Sequence, residues 1–281
     1  LDEIMTQQIP LSHASEANPT DADSLVVEIA DDLAYHRSFI ANVVLYGRPG
    51  ACDRSWVLID TGVSSCNSSV IEAAAQRFGP RSRPLAILLT HAHFDHIGGL
   101  QALSERWDTP IYAHLQEFPY LNGSQSYPPA DSGSGGGLMA LLSPLYPTHP
   151  IDVSQRLEPL PKDGTVPGMP GWQWIPTPGH SPGHVSFWRE ADRSLIVGDA
   201  FITTAQESAY AVLRQKPEMH GPPKYFTHDW ASAGDSVRTL AALEPEQVIC
   251  GHGHAMRGLE MRMALHELAD HFEGVAVPAN S

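Results

Sequence analysis

Basic residues are scarce in this chain: 17 Lys and Arg stand against 32 Asp and Glu, a formal net charge of −15. Nucleic-acid binding draws on basic side chains that replace the counterions around phosphates, so no DNA or RNA partner is expected. Cysteine is scarcer still. Cys52, Cys66 and Cys250 are odd in number, widely spaced and form no CxxC pair, which argues against a disulfide framework and a thiolate zinc knuckle. They read as reduced, largely buried thiols. No apolar run approaches the roughly 18 residues that cross a bilayer. The opening "LDEIMTQQIPLSHASEANPTDADS" carries acidic and polar residues where a signal peptide is basic and then apolar. A soluble, cytoplasmic protein with no membrane partner is therefore expected.

What the chain has in excess is histidine, 15 in 281 residues, which hints at metal without locating it. Residues 1–23 lack periodicity and are expected to form a flexible arm. Apolar stretches of strand length follow, "SLVVEIA", "FIANVVLYG" and "SWVLIDTG", then an alanine-rich helical stretch, "NSSVIEAAAQRFG", with Asn67 or Ser68 as N-cap and Gly79 closing it. "PLAILLT" reads as a fully buried strand. "IGGLQALSERW", "DSVRTLAALEP" and "EMRMALHELADHFE" read as helices between further strands, so residues 24–281 are expected to form a single α/β domain. Two stretches rich in turn formers or aromatics, at about 118–150 and 203–231, interrupt the pattern as loop insertions.

The chemistry concentrates in "ILLTHAHFDHIGG", where His91, His93, Asp95 and His96 stand at the end of a buried strand and the start of a helix. Neutral imidazole and carboxylate are the donors a borderline-soft divalent cation takes when thiolates are absent. Four such donors in six residues cannot all reach one tetrahedral ion and still leave a position open for water. Two ions are the natural solution, and each needs ligands from other strand ends. His180, Asp199 and His252 stand at such ends, each directly after a glycine that permits a tight turn. His184 begins the next strand and reads as a supporting residue, and His252 is preferred over His254.

Together "HAHFDH", "TPGHSPGH", "GDAF" and "CGHGH", with "LIDTG" upstream, resemble the metallo-β-lactamase superfamily of hydrolases from about Ser24 to about Arg257. The resemblance implies a four-layer αββα sandwich with a binuclear site at one edge of its packed sheets. It implies that His91, His93 and His180 hold one metal, that Asp95, His96 and His252 hold the other, that Asp199 bridges both, and that Asp60 orients an imidazole from behind. The implied cofactor is two divalent ions per chain, Zn²⁺ first, with Mn²⁺ or Fe²⁺ as alternatives. Such a pair, about 3.5–4 Å apart, shares a water and lowers its pKa toward about 7, giving a bridging hydroxide. Asp95 and Asp199 are the expected catalytic carboxylates, with Asp95 passing a proton to the leaving group.

Within the superfamily, β-lactamases replace the bridging aspartate, so antibiotic hydrolysis is not expected here. Glyoxalase II enzymes share the seven ligands but carry a longer helical part beyond them than the 29 residues after His252. Acyl-homoserine lactonases usually present a tyrosine where this chain has Ile202. The expected reaction is cleavage of an ester, thioester, lactone or related bond in a small molecule. The rivals are phosphoester or organophosphate hydrolysis and a mono-iron persulfide dioxygenase on the same fold. Phe94, Tyr210, Tyr225, Phe226 and Trp230 are the expected pocket lining, Trp172 and Trp174 are expected in the core, and a homodimer stays open.

Overall fold

The computed structural model describes residues 9–16, 24–128, 150–204 and 216–278. A short strand, β1 (Ile9–Pro10), precedes a seven-stranded sheet. In spatial order that sheet runs β2 (Val27–Ala30), β3 (Leu33–Ser38), β4 (Ala41–Tyr46), β5 (Val57–Ile59), β6 (Ala86–Leu88), β7 (Ile111–Ala113) and β8 (Leu157–Pro159). Its first pairings are antiparallel, and β5 to β8 pair in parallel. A five-stranded sheet holds β9 (Trp172–Pro176), β10 (Val185–Arg189), β11 (Ser194–Gly198), β13 (Gln247–Cys250) and β14 (Met256–Arg257), in the order β14-β13-β11-β10-β9. Strand β12 (Glu218–Met219) pairs with β1.

Side-chain alternation sorts these strands into layers, because successive residues of a strand face opposite ways. Val44, Val57, Ile59, Ala86 and Leu88 point to the inter-sheet core, where they meet Trp172, Val185, Phe187, Ile196 and Ile249 of the second sheet. Their neighbours Val43, Leu45, Leu58 and Ile87 point outward, onto helices α1 (Asn67–Phe78) and α3 (Leu100–Trp107). On the far side, Leu195, Val197, Val248 and Cys250 pack with α5 (Trp230–Ala242) and α6 (Gly258–Asp270). Short helices α2 (Phe94–Ile97) and α4 (Phe118–Leu121) precede them in the chain, and α7 (Phe272–Val275) closes it. The order helix, sheet, sheet, helix is the expected αββα sandwich. A slip of one residue in β11 would expose the inter-sheet core to the wrong face, at about 1.5–3 kcal/mol per misplaced aliphatic side chain.

Four expectations need correction. Part of the 1–23 arm is docked: Ile9 and Leu11 are buried against the second sheet's helical layer, and Ser12 and Ser15 hydrogen-bond to Glu260 of α6. The N-cap of α1 is Cys66, without a side-chain cap bond, because a 3₁₀ turn at Ser64–Cys66 runs straight into the helix. The "IGGLQALSERW" helix is broken between α2 and α3. A Cβ on Gly98 would lie 2.4 Å from the backbone nitrogen of Ser64, so the Gly98–Gly99 pair lets the chain pass where a side chain cannot. Finally, Cys250 is buried but Cys52 is exposed and Cys66 half-buried; all three are free. Trp172 is buried in the inter-sheet core and Trp174 packs against it. Much of the two insertions, residues 129–149 and 205–215 with Tyr210 among them, lies outside the described residues.

Candidate metal centre

The carboxyl ends of β5, β6, β9, β11 and β13 open onto one edge of the sandwich. From β6 the chain runs through Thr90 into His91, His93 and the start of α2, which carries Asp95 and His96. His180 follows β9, Asp199 follows β11 and His252 follows β13. All seven are buried. Two of the three preceding glycines adopt left-handed backbone, Gly179 at φ 130° and Gly198 at φ 63°. Gly251 serves by its lack of a side chain instead: a Cβ there would stand 2.0 Å from Asp199 Oδ1.

Hydrogen bonds from behind decide which nitrogen each imidazole turns inward. The Thr90 hydroxyl donates to Asp60 Oδ2 at 2.8 Å, so it accepts from His91 Nδ1 at 3.0 Å. The other carboxylate oxygen of Asp60 accepts from the Thr90 peptide nitrogen at 2.9 Å. His96 Nδ1 donates to Asp60 Oδ2 at 2.8 Å. The Thr227 hydroxyl donates to the Pro223 carbonyl and so accepts from His180 Nδ1 at 3.0 Å. His252 Nδ1 donates to the Ile40 carbonyl at 2.7 Å. In these four rings the Nδ1 proton is committed, and Nε2 faces the site. His93 is the exception, with Nδ1 facing His180 Nε2 at 2.9 Å.

The donor atoms converge. His91, His93 and His180 form one group, Asp95, His96 and His252 another, and His91, His96 and Asp199 a third, each with its ligand atoms within 4.8 Å of one another. Asp199 Oδ2 lies 3.1 Å from His252 Nε2, 3.4 Å from His180 Nε2 and 3.5 Å from His96 Nε2. His91 Nε2, His96 Nε2 and Asp199 Oδ1 are buried without a hydrogen-bond partner. Buried polar atoms are rarely left so, since each costs about 1–3 kcal/mol. Lone pairs that face one another in a dry space are the signature of a cation site, so the residues fit divalent metal.

The metallo-beta-lactamase superfamily model matches residues 39–252. This chain belongs to the metallo-β-lactamase superfamily. The Probable metallo-hydrolase YflN of Bacillus subtilis is 48% identical over 236 residues, spanning 84% of this chain and 89% of that one. Hydroxyacylglutathione hydrolase of Xanthomonas axonopodis pv. citri is 28% identical over 217 residues, 77% of this chain and 62% of that one. Among solved structures, TTHA1623 in a di-iron-bound form is 28% identical with a TM-score of 0.51, over 79% of this chain and 92% of that one. A beta-lactamase domain protein from Burkholderia ambifaria, 23% identical, shares the fold at a TM-score of 0.61 over 90% and 79%. As a member of this superfamily the chain is a metallo-hydrolase with a histidine and aspartate metal site.

Electrostatics divide the superfamily site in two. Burial, reinforced by neighbouring imidazoles, holds His91 and His93 well below the ordinary imidazole range, and burial pushes His180 down to about 3. For His96 burial acts the same way but is outweighed by Asp199 and Asp60, and the ring is shifted up. His252 is likewise raised, by Asp199 and then Asp95. Burial would raise Asp199, yet His252 and His96 draw it well below the usual carboxylate range; Asp95 is raised by burial.

Sequence reasoning missed Asn42 and Thr227, and left open what His184, read there as a supporting residue, would hold. His184 Nε2 accepts the Asp199 peptide N–H at 2.8 Å, so its Nδ1 donates to Thr177 Oγ1 at 2.8 Å. The chain of bonds continues through Ser186 to the Val197 carbonyl. Asn42 brackets His252: its peptide nitrogen donates to the Gly251 carbonyl, and its amide to the Cys250 and Gly253 carbonyls at 2.9 and 2.7 Å. Thr227 sits 47 residues from the histidine it orients. The one local signal for Asn42 is a polar residue inside the apolar run "FIANVVLYG".

Of the expected pocket residues, Phe226 stacks on His93 with ring centroids 4.7 Å apart, and Phe94 and Tyr225 pack on Phe226. Trp230 does not join them. Its ring meets Phe272 in the helical layer outside the second sheet, because it opens α5 and shares that helix's core-facing side.

Proposed function

We propose that this metallo-hydrolase holds two divalent cations and cleaves an ester, thioester, lactone or related bond in a small molecule. The observation that carries the proposal is Asp199 Oδ2, which stands within 3.5 Å of Nε2 atoms from helix α2 and two separate loops. His91, His93 and His180 would hold one cation, Asp95, His96 and His252 the other, with Asp199 between them. When bound, the pair supplies Lewis acidity toward the scissile group and acidifies water toward about pKa 7. Zinc suits this imidazole and carboxylate set, and manganese or iron are the alternatives; the di-iron relative supports iron as an occupant.

The protein's own part is preorganisation. Asp60, Thr90, Thr227 and the Ile40 carbonyl preset the tautomers, so no ring must turn when ligands engage. Asp95 is the carboxylate that would take a proton from the attacking water and pass it to the leaving group. Phe94, Tyr225 and Phe226 exclude water beside His93 and receive the apolar part of the substrate. The acidic charge of the chain supports a small neutral or cationic substrate over nucleic acid.

Metal analysis of the purified protein with a panel of lactones, thioesters, esters and phosphate esters tests this. Two ions per chain and turnover of a carbonyl substrate are expected. One iron per chain with oxygen uptake would replace the proposal by an oxygenase, and turnover confined to phosphate esters would move it to phosphorus chemistry.

A further inference from the structure

Glu117 ends a 3₁₀ turn at Leu115–Glu117 after β7 and is completely buried. Its Oε1 accepts from the Gly183 peptide nitrogen at 2.7 Å and the Ser181 hydroxyl at 2.9 Å. Its Oε2 accepts from the Ala92 peptide nitrogen at 2.9 Å and from the Tyr127 hydroxyl. Three of these donors belong to two loops. Ala92 stands between His91 and His93, while Ser181 and Gly183 follow His180. One carboxylate therefore straps together the two segments that carry the three-histidine group. The fit is close: a Cβ on Gly183 would lie 2.8 Å from Glu117 Cγ and Oε1.

All four donors are neutral. A buried carboxylate without a cationic partner among its hydrogen bonds is costly unless charge nearby offsets it. Two dications carry four positive charges, and Asp95 and Asp199 offset two of them. Asp60, behind His91 and His96, and Glu117, behind the loops of His93 and His180, supply two more negative charges within the buried region.

We propose that Glu117 is a positioning residue for the cation held by His91, His93 and His180, setting the separation of their two loops and adding negative charge behind them. This rests on the two-cation proposal above. The Asp95, His96 and His252 position lies on α2 and on the loop after β13, which Glu117 does not touch through any of these bonds, so the effect is selective.

Titration of the metal-free protein with Co²⁺, followed by visible absorption, resolves the two positions. Wild type should fill both. In Glu117→Gln, affinity at the three-histidine position should fall about 10–100-fold, with the other position unchanged. Tyr127→Phe and Ser181→Ala, which keep the carboxylate and remove one donor each, should shift the same position in the same direction by less. If Glu117→Gln does not fold, these two variants decide. Affinities unchanged from wild type at both positions in the folded variants, or parallel weakening of both with a drop in Tm, would overturn the role of Glu117. Wild-type protein that takes up no Co²⁺ would overturn the two-cation site itself.

Discussion

His91, His93, Asp95 and His96 arrive on one strand-to-helix turn six residues long, whereas His180, Asp199 and His252 arrive on three loops from the other sheet. In the first half, local backbone geometry places the donors, and Asp60 with Thr90 fixes the His91 and His96 rings. The second half is held by remote polar side chains: His184 for Asp199, Thr227 for His180, Asn42 for the loop of His252. A compact motif needs little help to be correct. Donors from separate loops are only as well placed as the hydrogen bonds that pin each loop.

The comparison can be broken most directly at the ligands. Asp199→Ala in the dispersed half and His93→Ala in the compact half should each lower kcat/KM by about 10³-fold or more, since each removes part of a cation site that contributes several kcal/mol. Metal content should fall in both, and wild-type metal content and turnover in either variant would show that the site is misassigned. Gly251→Ala comes next. Its methyl group would press on Asp199 Oδ1, and metal affinity should drop about 100-fold with the secondary structure by circular dichroism intact.

His184→Ala sharpens the contrast further, because its ring hydrogen-bonds to no proposed ligand side chain and reaches Asp199 only through the peptide nitrogen. Leaving the buried Asp199 N–H unpaired should cost about 1–3 kcal/mol of stability and about tenfold in metal affinity; unchanged affinity would make the bond to Asp199 a matter of folding alone.

The smallest effect is on pH. In the metal-free protein, His180 and His184 are held down to about 3 and about 4. Below the ordinary imidazole value of about 6.5 the unfolded chain binds more protons at these two, so stability falls as pH drops from there toward 4. His96 and His252 are shifted the other way. Their contribution is complete below about 6.5 and is lost as pH rises through their folded values. The metal-free Tm should therefore peak near pH 6.5 and decline on both sides. Added metal should lift the alkaline side most, where cations take the place of protons on His96 and His252. A flat profile would contradict the division between the two sets of histidines.

The fold was largely legible because its signals are local. "PLAILLT" read as a strand covered on both faces, and Ile87 and Leu88 do face opposite layers of the sandwich. The seven candidate ligands were likewise legible, four from their spacing and three from glycine-marked strand ends. The misses share a cause. Trp230 and residues 9–16 were judged from composition, yet their positions depend on which helical face and which sheet edge were vacant.

From its sequence alone this chain specified the layers, the strand ends and the residue types that meet there, because side-chain periodicity and donor chemistry are properties of short segments. Only the tertiary structure decided which nitrogen of each imidazole turns inward, and that Asn42, Thr227 and Glu117 stand behind the loops. Those contacts join residues as many as 212 positions apart, and their geometry comes into being only when two sheets pack and exclude water between them.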